Sequence, residues 1–430
     1  MIAYRNREIA GSSGSELFEV ELHAAGRDTF GFRKKDGALR CGIGVEKGSD
    51  AGTFPEGKQP AAVFRACEGG AYLLVCSDGE CYVSAAGQDF AACGITFACE
   101  PAWVRVFDDG PALLLSDGTQ CALLTEAGVS AETGVPPFDC GGYAYERLWL
   151  APTGQGNRLQ FSAPANIRDF TQERGLGGTI DVPDGKGKIT AFVPYKNDLI
   201  VLRERGGQLL EAGGDERDFA ITDLFSCGKI YPKTAAPASF GTVFMTEDGL
   251  YCWNGKLAAF SEEFACRLAY DADARGAAMG TNYVLESSVC LAYGRERALS
   301  VFSADGGAVF LRRNVCGLFS ADGRAYCIAG DSVCTLVKRS ARGEVFCWGS
   351  DPFLPFGTRA LVREVRVRAD GNFILTVRSE DGARTVRIDG GTRAQINLSG
   401  KRFRIFLEAE RPGAVYSVAA LCSRAEGGET

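Results

Sequence analysis

The chain contains a single histidine, His23, in 430 residues. Ser-His or Cys-His nucleophilic catalysis would therefore have to run through one residue near the N-terminus, and a His-containing structural zinc site is disfavoured. No Cys-x-x-Cys pair occurs. The closest spacings, Cys76–Cys81 and Cys93–Cys99, match no metal-ligand pattern. No run of 18 apolar residues is present, which excludes a membrane-spanning helix. Met1–Ala10 carries Arg5, Arg7 and Glu8 and lacks the apolar core of a secretory leader, so synthesis in the cytoplasm is expected. Prolines are few, 15 against 55 glycines.

What is present is turn chemistry. Eleven Asp-Gly pairs separate short apolar runs, the signature of tight hairpins rather than disorder. Three runs, Val63–Cys67, Tyr72–Ser77 and Cys81–Ala85, surround Asp78-Gly79. Trp103–Phe107, Ala112–Ser116 and Gln120–Thr125 repeat the arrangement around Asp117-Gly118, 39 residues on. That spacing is close to the roughly 40-residue repeat of a four-stranded propeller blade. Looser units follow at 143–170, 179–212, 229–264, 282–313 (turning at Asp305-Gly306) and 315–348 (turning at Asp322-Gly323). A meander unit cannot bury both faces alone, and radial stacking solves that problem. The ring is expected to be closed by Leu17–His23, and Met1–Glu16 is read as an arm that contacts neighbours.

From Asp351 the pattern becomes polar alternation over six strands, which describes a sheet pair with one solvated side. The predicted class is all-β: a six- or seven-bladed β-propeller over residues 17–350, then a small C-terminal antiparallel β-sandwich over 351–424 and a tail, 425–430. Residues 351–430 hold 13 basic and 10 acidic side chains, net +3, so the rest carries −10 of the total −7. Arg363, Arg366 and Arg368 cluster there, with 366 and 368 assigned to one strand face and 363 to the other. Neither part is basic enough for the multi-phosphate neutralisation that non-specific DNA binding requires. Contact between the basic module of one copy and the acidic ring of another fits better.

Chemical motifs are scarce. The 17 cysteines lie singly on apolar runs and read as buried, reduced thiols. Asp-Gly carboxylates are assigned to turns. Gly175–Gly187 holds glycines and Lys186 but no GxxxxGK[ST], and it precedes a strand, so it reads as a mobile hairpin loop. No sialidase-type aspartate box, EF-hand or calcium nonapeptide occurs. Trp103, Trp149, Trp253 and Trp348 are the aromatics to inspect for a ligand rim. No catalytic residue, metal ligand or cofactor is assigned.

Three segments carry a resemblance: Glu146–Phe170 (ERLWLAPTGQGNRLQFSAPANIRDF), Lys188–Gly214 (KITAFVPYKNDLIVLRERGGQLLEAGG) and Cys227–Gly255 (CGKIYPKTAAPASFGTVFMTEDGLYCWNG). They are similar to blades of bacteriophage virion propellers of the head-to-tail junction or tail hub, the packaged-DNA stabilisation type. The resemblance implies a non-enzymatic structural subunit in a virion neck or tail. It would be made in the host cytoplasm, and would associate with itself in a ring and with other virion proteins around the DNA conduit, close to DNA without reading it. Arg174, Lys186 and Lys188, with Arg363, Arg366 and Arg368, are the candidate subunit contacts. A carbohydrate- or receptor-binding propeller and a propeller hydrolase are the alternatives.

Overall fold

The computed structural model describes residues 6–7, 15–23, 28–41, 43–48, 51–85, 87–172, 176–214, 216–260, 264, 268–269, 272–291, 294–304, 307–337, 346–409, 411 and 413–425. Strands dominate, with short 3-10 turns at Asp184–Lys186 and Glu216–Asp218. Among the described residues no helix is long and apolar enough to cross a membrane. The chain divides into two compact units, Glu46–Ser288 with Arg313–Leu336, and Met1–Val45 with Val289–Arg312 and Val337–Thr430.

The first unit is a β-propeller. Five consecutive antiparallel four-stranded sheets follow chain order, and their inner strands are Pro60–Arg65, Ala102–Phe107, Phe138–Ala144, Ile189–Tyr195 and Ile230–Ala238. A sixth blade starts with the hairpin Arg275–Met279 and Asn282–Leu291. In the seventh, Cys316–Ala321, Arg324–Ala329 and Ser332–Val337 are completed by Gly44–Lys47. From blade 2 to blade 7, successive inner strands pack side by side, and the seventh packs on the first. Gly317 marks that last seam: it has φ +65°, and a Cβ there would stand 2.8 Å from Ala62 Cα. Only glycine tolerates both the conformation and the approach.

Radial stacking is written in the second strand of each blade. In Pro111–Ser116 (PALLLS), Leu113 and Leu115 join the core shared with blade 1, and Leu114 joins the core shared with blade 3. In Arg147–Pro152, Leu148 and Leu150 face blade 2 while Trp149 and Ala151 face blade 4. A strand covered on both faces needs apolar residues at every position, and these strands have them. Outer strands such as Ala91–Thr96 are mostly exposed. The Asp-Gly turns do what their sequence suggests: Gly79 and Gly118 have φ +84° and +86°, while Asp78 and Asp117 accept backbone N–H groups within their own turns.

The second unit contains a seven-stranded and a four-stranded sheet. The larger includes Ser15–Val20, Ala38–Cys41, Ala360–Asp370, Thr392–Gly400 and Ala414–Arg424. The smaller is ordered Phe346–Gly349, Phe403–Ala409, Asn372–Ser379, Gly382–Asp389. One apolar cluster draws on both, with Phe18, Val362 and Val418 from the first and Trp348, Leu375 and Leu407 from the second.

Three expectations are corrected here. Leu17–His23 does not close the ring: Ser15–Val20 pairs with Ala414–Arg424, because Phe18, Val20 and Leu22 supply that sheet's apolar face. The closing strand is Gly44–Lys47, whose two exposed charges hid it. The propeller unit ends at Leu336 rather than 350, and Phe346–Gly349 pairs with Phe403–Ala409; residues 15–41 likewise belong with the C-terminal strands. Finally, Gly175–Gly187 is not simply a loop, since Gly178–Asp181 is the outer strand of blade 3. The Asp305-Gly306 turn and most of the Met1–Glu16 arm lie outside the described residues.

Candidate functional site

Where the inner strands converge they enclose an axial cavity of about 640 Å³, lined by all seven blades of the propeller unit. Small residues make the convergence possible. Gly276 and Gly142 sit so close to neighbouring blades that a Cβ would fall 2.2 Å from Thr234 O and 2.7 Å from Phe192 Cβ.

One end of the cavity is crossed by ion pairs. Glu100, on the segment entering the inner strand of blade 2, binds Lys233 of blade 5 at 2.7 Å and Arg275 of blade 6 at 2.6 Å. Blades 2 and 5–6 are on opposite sides of a seven-membered ring, so these contacts span the axis. Arg275 also stands 3.5 Å from Glu286. Glu286 is completely buried and accepts the Leu318 N–H of blade 7 at 3.2 Å. Burial pushes the Glu100 carboxyl upward, but the hydrogen bonds and charges of Arg275 and Lys233 outweigh it and the net shift is downward. Arg275 shifts the other way: burial opposes its charge, and Glu100 holds its pKa above the ordinary value. Two carboxylates converge here, but both are spent on cations, an arrangement suited to joining blades rather than to proton transfer.

The rest of the wall is dominated by one strand. In Ala102–Phe107 (AWVRVF), Val104 and Val106 face the core shared with blade 3, leaving Trp103, Arg105 and Phe107 on the opposite face, all lining the cavity. The Trp103 ring meets Phe319 edge-on at 4.9 Å. Arg105 lies 5.5 Å from the Phe319 ring centroid and donates to Ala66 O at 3.2 Å and to Ser320 O. Burial depresses its pKa.

The tryptophans separate cleanly. Trp149, Trp348 and Trp253 are buried, and only Trp103 is exposed, at 39 %. Of the proposed contact residues, Arg174 lies outside the described residues. Lys186 is not available to a neighbour as expected, because its ammonium bonds to Phe225 O at 2.8 Å and Asp223 at 3.3 Å within its own blade. Lys188 is exposed, with its stem against Gly156.

Arg363, Arg366 and Arg368 share one face, contrary to the simple alternation expected. A β-bulge between Val362 and Glu364 inserts a residue, so the buried set is Val362, Val365, Val367, Ala369 and all three arginines point outward. Each has a partner within its unit: Arg363 donates to Ser423 Oγ, Arg366 pairs with Glu364, and Arg368 lies over the Tyr416 ring. His23, the sole histidine, stands 3.3 Å from Glu21. All fifteen described cysteines are free thiols, and burial pushes Cys81 and Cys422 up to about 12.

The Glu146–Phe170 motif, which sequence reasoning treated as a family mark, is internal to blade 3. Buried Arg147 donates to Ser162 O at 2.8 Å and to Leu176 O, Ser162 Oγ accepts the Leu148 N–H, and Trp149 donates to Ala144 O. Trp103 is among the aromatics marked for inspection, but its grouping with Arg105 and Phe107, and the axial Glu100, were missed as a site. An arginine between two aromatics at alternate positions of an otherwise valine-bearing strand was the available signal.

No protein-family model and no characterised protein sequence matches the chain. Solved structures that resemble it include a catalytically inactive virginiamycin B lyase from Staphylococcus aureus with quinupristin, at 9 % identity and TM-score 0.45, covering 69 % of this chain and 99 % of that one. A streptogramin B lyase gives 10 % and 0.45 over 69 % and 98 %. Raptor from Chaetomium thermophilum gives 12 % and 0.47 over 69 % and 29 %. At such identity these likenesses concern the fold alone. The class is that of β-propeller proteins, with an axial cavity crossed by ion pairs at one end.

Proposed function

We propose that the protein is a non-enzymatic, rigid propeller subunit that works by assembly, and that its place is a bacteriophage neck or tail. The observation that carries the non-enzymatic part is the fate of Glu100, the cavity carboxylate held by cations of two other blades, and of the buried Glu286 behind it. Both are held by Arg275, and Glu100 also by Lys233. Glu100 ties blade 2 to blades 5 and 6, and Glu286 backs Arg275 from within its own hairpin. The virion part rests on the three resembling segments, which lie in three consecutive blades. Bonds within blade 3 account for the motif residues there, so the resemblance speaks for shared blade construction. Self-association would use exposed residues such as Lys188 and the arginine face of Ala360–Asp370.

Analytical ultracentrifugation of the purified chain, with mass spectrometry of virions from a host carrying the gene, tests this. A defined oligomer and a stoichiometric virion band are expected. A monomer at high concentration that is absent from virions would end the virion reading. A receptor-binding propeller is favoured by one observation, the exposed Trp103 in the axial cavity. A glycan array with wild type and Trp103→Ala separates that reading, because specific binding lost without loss of fold supports it.

A further inference from the structure

Among the described residues only four large apolar side chains are substantially exposed, and two of them, Trp103 at 39 % and Phe107 at 64 %, flank Arg105 on one face of one strand. Leaving such rings in water is unfavourable unless something covers them. Arg105 is the third member of the row. A guanidinium has five N–H donors. Two bonds, to Ala66 O and Ser320 O, are made within the described residues. Asp322 is near enough to influence the charge, yet its carboxylate accepts the Glu68 N–H, and no ion pair joins it to Arg105 among the described residues. The other cations at the axis, Lys233 and Arg275, are neutralised by Glu100. Among the described residues Arg105 is thus a cavity cation with no direct ion pair, placed between two exposed rings.

We propose that this face is a docking site for an extended peptide segment that presents one carboxylate between two apolar side chains at two-residue spacing. The row Trp103-Arg105-Phe107 covers four strand steps, about 13 Å. A ligand that touches both rings and the guanidinium must match that length and alternate apolar, anionic, apolar with the same period. A small free anion reaches only the centre, whereas an extended pentapeptide reaches all three. The cavity, about 640 Å³, falls in the range that holds such a ligand. Nucleic acid fits less well: it would bring several phosphates to a cavity whose wall also holds Glu100, Asp117 and Asp139, in a chain of net charge −7. This proposal goes beyond the assembly reading and holds wherever the protein is located.

The test is an array of pentapeptides of the form apolar-Ser-X-Ser-apolar, with X as Asp, Glu, Gln or Lys, probed with the full-length chain. Hits are then measured by fluorescence anisotropy alongside a labelled oligo-dT. Asp and Glu are expected to be enriched at X, and Arg105→Gln is expected to weaken the best hit about tenfold, the ordinary loss for a charge-assisted bond. Arg105 also holds two carbonyls, so Phe107→Asp provides the check: its side chain is exposed, the variant should keep the wild-type melting temperature, and it should lose binding by at least the same factor. Absence of enrichment for an acidic centre, equal binding by Phe107→Asp, or preference for oligo-dT would overturn the proposal.

Discussion

Glu100 Oε2 lies 2.6 Å from Arg275 Nη2, so a residue entering blade 2 is bonded to one starting blade 6 across the propeller axis. The two partners are not equivalent. Removing Glu100 leaves Arg275 with Glu286, whereas removing Arg275 leaves Glu286 buried without it and Glu100 with Lys233 alone. Arg275→Met takes a cation away from a fully buried carboxylate, whereas Glu100→Gln releases Lys233, which is half exposed, to water. Glu100→Gln should therefore destabilise by about 2 kcal/mol and Arg275→Met by about 4 kcal/mol. Urea unfolding followed by tryptophan fluorescence measures both. Equal costs would mean that the Arg275–Glu286 contact contributes little.

The same pair sets an acid limit. The Glu100 carboxyl is held below its ordinary value of 4.5, so the unfolded state binds the proton more readily. Its contribution to stability is present in full above pH 4.5 and drains away as pH falls through the lower folded value. Asp117 behaves alike but by another route: burial pushes it up, and the N–H groups of Ala98, Gln120 and Thr119 bring it down to about 2. Its contribution is complete above its ordinary 3.8 and is lost toward pH 2. Asp117→Asn should flatten the acid limb of a stability profile between those limits while costing about 1 kcal/mol at neutral pH. An unchanged acid limb would refute this.

Much of the ring was legible because the second strands of blades 1 to 5 are apolar on both faces, as LLL at 113–115 and LIVL at 199–202 show, and because Asp-Gly turns separate the strands. The closing strand was not legible. Gly44–Lys47 pairs on the outer edge and leaves Glu46 and Lys47 in water, so it has no hydrophobic pattern, whereas Leu17–His23 has a perfect one and spends it on the other unit. Gly178–Asp181 was missed for the same reason. The arginine face was misassigned because alternation breaks at the 362–364 bulge. The ion pairs at the axis were invisible because Glu100, Lys233 and Arg275 are far apart in the chain and meet only once the ring closes.

Blade 3 offers a local test. Tyr145 and Glu146 form a two-residue turn in which both have φ +57°, the geometry of a type I′ hairpin that prefers glycine at the second place. Tyr145 has a compensation, since its hydroxyl donates to Asp198. Glu146 is exposed and holds its turn through the backbone alone, its carbonyl accepting the Ala165 N–H. Glu146→Gly should therefore raise stability by about 1 kcal/mol, read as a higher urea midpoint. A lower midpoint would show that the Glu146 side chain supports the blade.

Arg147 gives the Glu146–Phe170 segment a structural role inside blade 3. Its guanidinium, 6 % exposed, donates to Ser162 O and Leu176 O and lies 5.5 Å from the Phe161 and Phe219 ring centroids. It therefore pins the connection between the third and fourth strands of blade 3 while filling an aromatic cage. A methionine would keep some of the volume and lose every donor, stranding the buried Ser162 carbonyl and releasing that of Leu176, at a cost of about 2 kcal/mol. Lysine would keep the charge but not the planar fork that reaches both oxygens while stacking, so its rescue should be incomplete. Hydrogen exchange locates the damage: Arg147→Met should speed exchange at Gly178–Asp181, the strand that this connection delivers, and leave Ala220–Ser226 of blade 4 unchanged. Uniform acceleration across both blades would show instead that Arg147 acts on the whole ring rather than on this connection.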